Sequence, residues 1–120
     1  MIPEVIRLGT RGSELARWQT DHVAALLRAH YPNSRIEPHI INTKGDQILD
    51  KSLPSIGGKG LFTQELEAAL YDGSVDAAIH SLKDLPTEET DGLVHRPIGE
   101  RAPVNDVLIS RTGAKLDALP

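Results

Sequence analysis

Cysteine is absent from the 120 residues of this chain. Its absence excludes disulfide bonds, thiolate metal sites and thiol nucleophiles within the chain, and it leaves the redox compartment undecided. The five histidines show no paired spacing typical of metal ligands either. We therefore expect no metal site.

Aromatic residues and net positive charge are also in short supply. The chain has one Phe, one Trp and two Tyr, which offers few platforms for stacking nucleobases. Its net charge of -4 argues against a general nucleic-acid binder. We expect no nucleic-acid partner, and any anionic ligand must be held by a few locally placed cations.

Long apolar runs are missing as well. The chain nowhere has 18 consecutive apolar residues, and residues 1–7 include no basic region followed by a long apolar stretch. This predicts a cytoplasmic protein without membrane contact. The hydrophobic fraction of 39% and the charged fraction of 25% are ordinary for a globular protein. The length suits one domain, or one domain and the beginning of another.

Strand-type and helix-type patterns alternate along the chain. The apolar periodicity predicts strands over 5–10, 35–42 and 75–80, a helix that begins near Glu14 with Ser13 as its N-cap, and a second helix from Leu61 to about Asp72. Further strands are predicted over 93–98 and 107–110. Strands that alternate with amphipathic helices indicate an α/β fold with a mainly parallel sheet flanked by helices.

The first helix has an apolar arc formed by Leu15, Ala16, Val23, Leu26 and Leu27, with Thr20 on the opposite side. Gln19 lies within the apolar arc. Burying an amide costs about 1–3 kcal/mol unless it is hydrogen-bonded. Gln19 is therefore either satisfied by backbone at a strand end or directed at a ligand.

Polar segments follow each of the three main strands, at Arg11–Ser13, Thr43–Asp46 and Ser81–Asp84. Because parallel strands share one carboxyl edge, we expect these segments to converge there. Pro86 argues against a helix that continues through Lys83 and Asp84. The segments predict a cleft for an anionic small molecule that also carries N–H or cationic character. The alternative for Lys83 and Asp84 is a surface turn with an ion pair.

A glycine-rich loop over 56–62 precedes the second helix and contains Lys59. Glycines let backbone N–H groups approach an anion, and the following helix N-terminus adds a favourable dipole. The loop is not a Walker A motif, because Lys59 is followed by Gly60 rather than by Ser or Thr. The alternative is a flexible loop with a solvated Lys59.

Four blocks in this order closely resemble the N-terminal portion of the porphobilinogen deaminase family, also called hydroxymethylbilane synthase. The blocks are 8–16 with Gln19, then 43–46, then 57–62 with 65–67, and above all 80–86. The resemblance implies a transferase of tetrapyrrole and haem biosynthesis that condenses four porphobilinogen molecules head to tail. It would release ammonia at each step, on a dipyrromethane primer attached to a cysteine.

The resemblance also implies a fold and a domain organisation. The family has three domains, of which the first two resemble the halves of a type II periplasmic binding protein. By this similarity, residues 1–99 form the first domain, which is incomplete without returning C-terminal strands, and residues 100–120 begin the second. We expect the chain to be truncated.

Site roles follow from the same resemblance, residue by residue. Asp84 matches the catalytic carboxylate, and Phe62 would pack near the incoming pyrrole. The acetate and propionate groups of cofactor and growing chain would be held by Arg11, Ser13, Gln19, Lys59, Ser81 and Lys83.

The missing cysteine means that the family's attachment point for dipyrromethane is not in this chain. We therefore expect the isolated chain to be inactive. Its partners would be porphobilinogen and oligopyrrole carboxylates, with either self-association through an unpaired edge near 107–110 or a complementing C-terminal chain. The alternative function is a non-catalytic binding module for small carboxylates, solute-binding-like or a diverged partial deaminase.

Overall fold

A parallel sheet forms the centre of the structure, a computed structural model that describes residues 1–48 and 60–118. Within these residues the strands are β1 (Val5–Thr10), β2 (Arg35–Ile40) and β3 (Ala77–Ala78). They lie in the order β2-β1-β3, and β1 pairs in parallel with both neighbours. The predicted α/β class with a parallel sheet is confirmed.

Three α-helices connect and flank these strands in the described part of the chain. They are α1 (Glu14–His30), α2 (Lys44–Gln47) and α3 (Gln64–Tyr71), and single 3-10 turns cover Leu82–Asp84 and Leu116–Ala118. Ser13 is the N-cap of α1, as predicted, and its hydroxyl accepts a hydrogen bond from the Ala16 amide at 3.3 Å. None of the described helices is long and apolar enough to cross a bilayer.

The third strand is shorter than the predicted 75–80. The Asp76 and Ile79 amides on either side of it still donate to the Arg7 and Gly9 carbonyls of β1, both at 2.9 Å. Farther out the chain leaves the sheet, because the Val75 amide bonds to the Ala69 carbonyl of α3 and a 3-10 turn follows Ser81. The prediction that no helix runs through Lys83 and Asp84 was wrong for this one turn. The turn ends at Leu85, whose extended backbone is the conformation that Pro86 favours.

Other predicted boundaries also move. The second strand ends at Ile40 rather than Asn42, because Thr43 caps α2. The second long helix begins at Gln64 rather than Leu61, because residues 60–63 form a turn with Gly60 at a positive φ of 76°. Residues 93–98 and 107–110, which are both described, form no strand.

The core lies between α1, α3 and the sheet. It contains Leu8, Ala16, Val23, Ala24, Ile36, Leu66, Ala69 and Val75. The predicted face of α1 is displaced: Thr20 is fully buried, whereas Leu15 and Leu26 are about half exposed. Thr20 can be buried because its hydroxyl donates to the Ala16 carbonyl at 2.9 Å.

An Arg–Asp pair fastens β3 to β1. Arg7 donates from Nε and Nη2 to the two carboxylate oxygens of Asp76, at 3.1 and 2.8 Å, and its backbone amide donates to the same carboxylate. These bonds hold the pKa of Asp76 below its usual value.

Truncation of the buried Leu66 should destabilise this core. Leu66 is completely buried, so Leu66→Ala should lower the free energy of unfolding by about 3 kcal/mol through lost burial and a residual cavity. Urea unfolding measures the change. Leu116→Ala is the matched control, because Leu116 is 76% exposed. Equal effects of the two variants would contradict this description of the core.

Candidate functional site

A cavity of about 300 Å³ opens at the carboxyl edge of the sheet. It is formed by the residues after β1, the first turns of α1, the approach to α3 and the segment after β3. Its lining residues are Arg11, Ser13, Leu15, Ala16, Gln19, Phe62, Ile79, His80, Ser81, Lys83 and Asp84. Every predicted site residue except Lys59 lines this one cavity, and Lys59 lies outside the described residues.

Arg11 occupies the centre of the charged groups at this edge. Its Nε is 3.2 and 3.1 Å from the two carboxylate oxygens of Asp46, and its Nη2 is 2.5 Å from Asp46 Oδ1. Its Nη1 is 3.4 Å from Asp84 Oδ2. The guanidinium carbon lies 4.0 Å from the centre of the Phe62 ring, a cation–π contact. Arg11 thus joins two carboxylates and the aromatic ring.

Asp46 is held from its other side by Thr43. The Thr43 hydroxyl donates to Asp46 Oδ2 at 2.6 Å, and it also accepts the Asp46 amide as the N-cap of α2. The hydrogen bonds from Arg11 hold the pKa of Asp46 below its usual value, with Thr43 contributing in the same direction and burial opposing it. Asp46 is therefore an ionised carboxylate with defined partners.

Close contact between α2 and the start of α3 brings Phe62 towards Arg11. The Gly45 amide donates to the Leu61 carbonyl at 2.9 Å, and the Lys44 amide donates to the Glu65 carboxylate at 3.0 Å. Gly45 packs directly against the Phe62 ring, where an added Cβ would lie 2.6 Å from the ring atom Cδ1. A glycine is required here because no side chain fits between the backbone and the ring.

Gln19 and Ser81 meet across the cavity wall. The Ser81 hydroxyl donates to the Gln19 amide oxygen at 3.0 Å. This partner is a side chain rather than the backbone considered from the sequence, and Gln19 also lines the cavity. The bond ties the second turn of α1 to the segment after β3.

Sequence reasoning missed His80 and did not assign a site role to Asp46. His80 lines the cavity and is partly buried; burial lowers its pKa, with Asp84 opposing and Arg11 reinforcing the shift. Its position directly before Ser81 at the strand end was the available signal. Lys44, predicted at the same edge, is exposed and lies outside the cavity lining.

The arrangement combines anion-binding and cation-stabilising groups. Arg11 and the exposed Lys83 supply positive charge, and Ser13 and Ser81 supply hydroxyls. Asp84, whose side chain is 18% exposed, supplies a carboxylate. Such a site can bind the carboxylates of a small molecule through its cations and hydroxyls, while the Asp84 carboxylate accepts hydrogen bonds from the N–H groups of that molecule. No cluster of three or more possible metal ligands occurs within residues 1–48 and 60–118.

Known proteins that this chain resembles belong to one family. The family model described as "Porphobilinogen deaminase, dipyromethane cofactor binding domain" matches residues 6–120. A porphobilinogen deaminase of Syntrophomonas wolfei is 50% identical over 115 residues, which are 96% of this chain and 38% of that protein. One of Neisseria meningitidis serogroup A is 46% identical over all 120 residues and 39% of its own length. The chain thus spans about two fifths of these relatives.

Enlarging Gly45 should displace the Phe62 ring. In Gly45→Ala the new methyl group would overlap the ring, so we expect a loss of about 1–3 kcal/mol of stability and movement of the ring away from Arg11. Phe62 is the only phenylalanine in the sequence, so its ring proton NMR signals are unambiguous. Gly12→Ala is the control, because its Cβ would make an ordinary 3.4 Å contact with Ile40. Unmoved ring signals in Gly45→Ala would refute the prediction.

Asp46 should contribute to acid sensitivity. Its folded-state pKa lies below the reference value of 3.8, so its stabilising effect is present above that pH and is lost as the pH falls through the lowered value. Asp46→Asn should therefore be less stable near neutral pH and lose less stability on acidification. Urea unfolding between pH 7 and the acid range measures both curves. Parallel curves for the two proteins would contradict the assignment.

Proposed function

This chain belongs to the porphobilinogen deaminase family, and we propose that its cavity binds porphobilinogen and contributes to the condensation of four such units into hydroxymethylbilane with release of ammonia. The observation that carries the proposal is the single cavity that gathers Arg11, Lys83, Asp84 and the hydroxyls of Ser13 and Ser81. The proposal concerns the whole protein's reaction, to which these residues would contribute part of the site.

The chemistry of the substrate matches the groups around the cavity. Porphobilinogen carries acetate and propionate carboxylates, a pyrrole N–H and an aminomethyl group. Arg11 and Lys83 would attract the carboxylates, and the Ser13 hydroxyl would donate a hydrogen bond to them. The Ser81 hydroxyl would do the same on exchanging its bond to Gln19 for one to the substrate. Phe62 would pack near the incoming pyrrole. The cavity volume of about 300 Å³ is in the range of small-molecule sites.

Asp84 would act on the charge that develops during loss of ammonia. The bond between the methylene carbon and the protonated amine nitrogen breaks, the nitrogen leaves with the electron pair as ammonia, and the positive charge passes to the methylene-pyrrole. A carboxylate in a largely enclosed position stabilises that charge and accepts pyrrole N–H bonds. The 18% exposure of the Asp84 side chain favours a strong electrostatic effect.

Dipyrromethane, when bound, would supply the pyrrole carbon that attacks the methylene group. The lining residues fit its carboxylate groups, and Arg11, Gln19, Ser81 and Lys83 are the ones that would hold them. Lys59, outside the described residues, is proposed for the same role from the family resemblance. Because the chain has no cysteine, covalent attachment of the cofactor would lie outside these residues.

The finer description of the fold is also a proposal. We assign residues 1–99 to a first domain of the type II periplasmic-binding class and residues 100–120 to the start of a second. The parallel order β2-β1-β3, with the cavity at the carboxyl edge, supports this assignment.

The location and the assembly of the protein are proposals as well. We propose that the protein is cytoplasmic and that it assembles with further protein through the exposed segment around Val107 and Ile109.

Substitutions at Asp84 and Lys83 should separate catalysis from binding. Asp84→Asn removes the charge while keeping the size, so we expect kcat to fall by roughly 10²-fold with a much smaller rise in KM. Lys83→Gln should mainly raise KM, because it removes a cation at the cavity. The assay measures ammonia release from porphobilinogen by the full-length protein that contains these residues. A near-normal kcat in Asp84→Asn, together with no turnover in Lys83→Gln, would show that the catalytic and binding roles had been assigned the wrong way round.

A further inference from the structure

We propose that Asp46 is the positioning residue of this site: by occupying one edge of Arg11, it fixes the guanidinium over Phe62 and keeps Asp84 free for the substrate. The catalytic consequence rests on the function proposed above. The contacts among Asp46, Arg11 and Asp84 are independent of that function and can be tested separately.

Asp46 acts on the cavity through Arg11. Arg11, Phe62 and Asp84 line the cavity, whereas Asp46 does not. Its carboxylate nevertheless makes the shorter contacts with the guanidinium, at 2.5 to 3.2 Å, against 3.4 Å for Asp84. Charge-assisted bonds that use two nitrogens of arginine fix its orientation as well as its position. Arg11 is thus attached firmly to Asp46 and loosely to Asp84.

Asp46 is itself held in place before any ligand arrives. The Thr43 side chain is completely buried, and its hydroxyl donates to Asp46 Oδ2 at 2.6 Å. The Gly45 amide anchors the same short helix to the Leu61 carbonyl at 2.9 Å. A positioning group must be more rigid than the group it holds, and these bonds provide that rigidity.

Few N–H groups of Arg11 remain available for hydrogen bonds to the substrate. A guanidinium has five N–H groups. Asp46 takes the Nε edge and one Nη2 hydrogen, and Asp84 takes one on Nη1. The Nε–Nη2 edge, which often grips carboxylates, is therefore occupied by Asp46. Arg11 would meet a substrate carboxylate only with the remaining N–H groups of Nη1 and Nη2.

Loss of Asp46 would change Asp84 as well as Arg11. Asp84 is the carboxylate already within 3.4 Å of the guanidinium, so a released Arg11 would pair with it more closely. Close pairing would neutralise the negative charge that Asp84 presents to the pyrrole cation and occupy its oxygens. The two carboxylates compete for one cation, and the geometry favours Asp46.

Kinetics of Asp46→Asn give the first test, with Asp76→Asn as the matched control. Asp76 also binds an arginine through two nitrogens, with Arg7, but it lies outside the cavity. At a temperature where both variants are folded, Asp46→Asn should lower kcat by about 10-fold to 100-fold and change KM less. This pattern is expected when Arg11 is no longer held in position and pairs with Asp84 instead. Asp76→Asn should keep kcat within about twofold of the parent.

A double-mutant cycle tests whether the effect passes through Arg11. In an Arg11→Lys background, Asp46→Asn should cost little further kcat, because lysine has no Nε–Nη2 edge to hold. Additive losses would overturn the proposal. If Asp46→Asn does not fold, Thr43→Val replaces it: removing the 2.6 Å bond to Asp46 should shift kcat in the same direction by a smaller factor.

NMR provides a readout that does not need the reaction. In the parent protein the Arg11 Nε–H signal should be shifted downfield and exchange slowly; both features should disappear in Asp46→Asn and persist in Asp76→Asn. The carboxyl carbon signal of Asp84 should move in Asp46→Asn, where Arg11 would pair with it more closely, and stay in place in the control. Identical Arg11 and Asp84 behaviour in the two variants would overturn the proposal. A parent protein that releases no ammonia would instead refute the proposed function, and the NMR results would still decide the role of Asp46.

Discussion

Parallel pairing on both sides of β1 determines where the polar segments of this chain meet. With β2 and β3 running in the same direction as β1, the residues after each strand emerge at one edge. The chain after β1 brings Arg11, the chain after β2 brings Asp46, and the chain after β3 brings Asp84. The short distances among these three side chains depend on that common direction.

Charge balance within the cavity depends on how one guanidinium is shared. Arg11 lies between two carboxylates with only 16% of its side chain exposed, whereas Lys83 is exposed at the cavity. A planar group with several donors can bind two carboxylates and stack on Phe62 at once, which an ammonium group cannot do. The two cations therefore differ in their surroundings: Arg11 is held by two carboxylates and an aromatic ring, whereas Lys83 is exposed at the cavity.

The family relationship and the geometry support each other at different levels. The similarity extends over almost the whole chain, and it covers about two fifths of the length of the relatives. The cavity adds what a family name does not contain, namely which atoms contact which. Gly45 illustrates the difference: its place in the Thr43–Asp46 block was evident, but its contact with the Phe62 ring explains why the residue must be small.

Local patterns in the sequence were sufficient for the α/β class, the Ser13 cap of α1 and the meeting of three polar segments at one edge, because strand periodicity, capping and the parallel-edge rule are all short-range or topological. Phe62 was added by the family resemblance, and His80 was missed. Local patterns were not sufficient for the buried face of α1, where Thr20 replaces the larger Leu15 because its hydroxyl bonds to its own helix. Nor did they predict the one-turn helix at Asp84 or the role of Asp46, which the sequence placed at the same edge but did not connect to Arg11. Those features depend on distances between segments up to 73 residues apart, and only tertiary packing sets such distances.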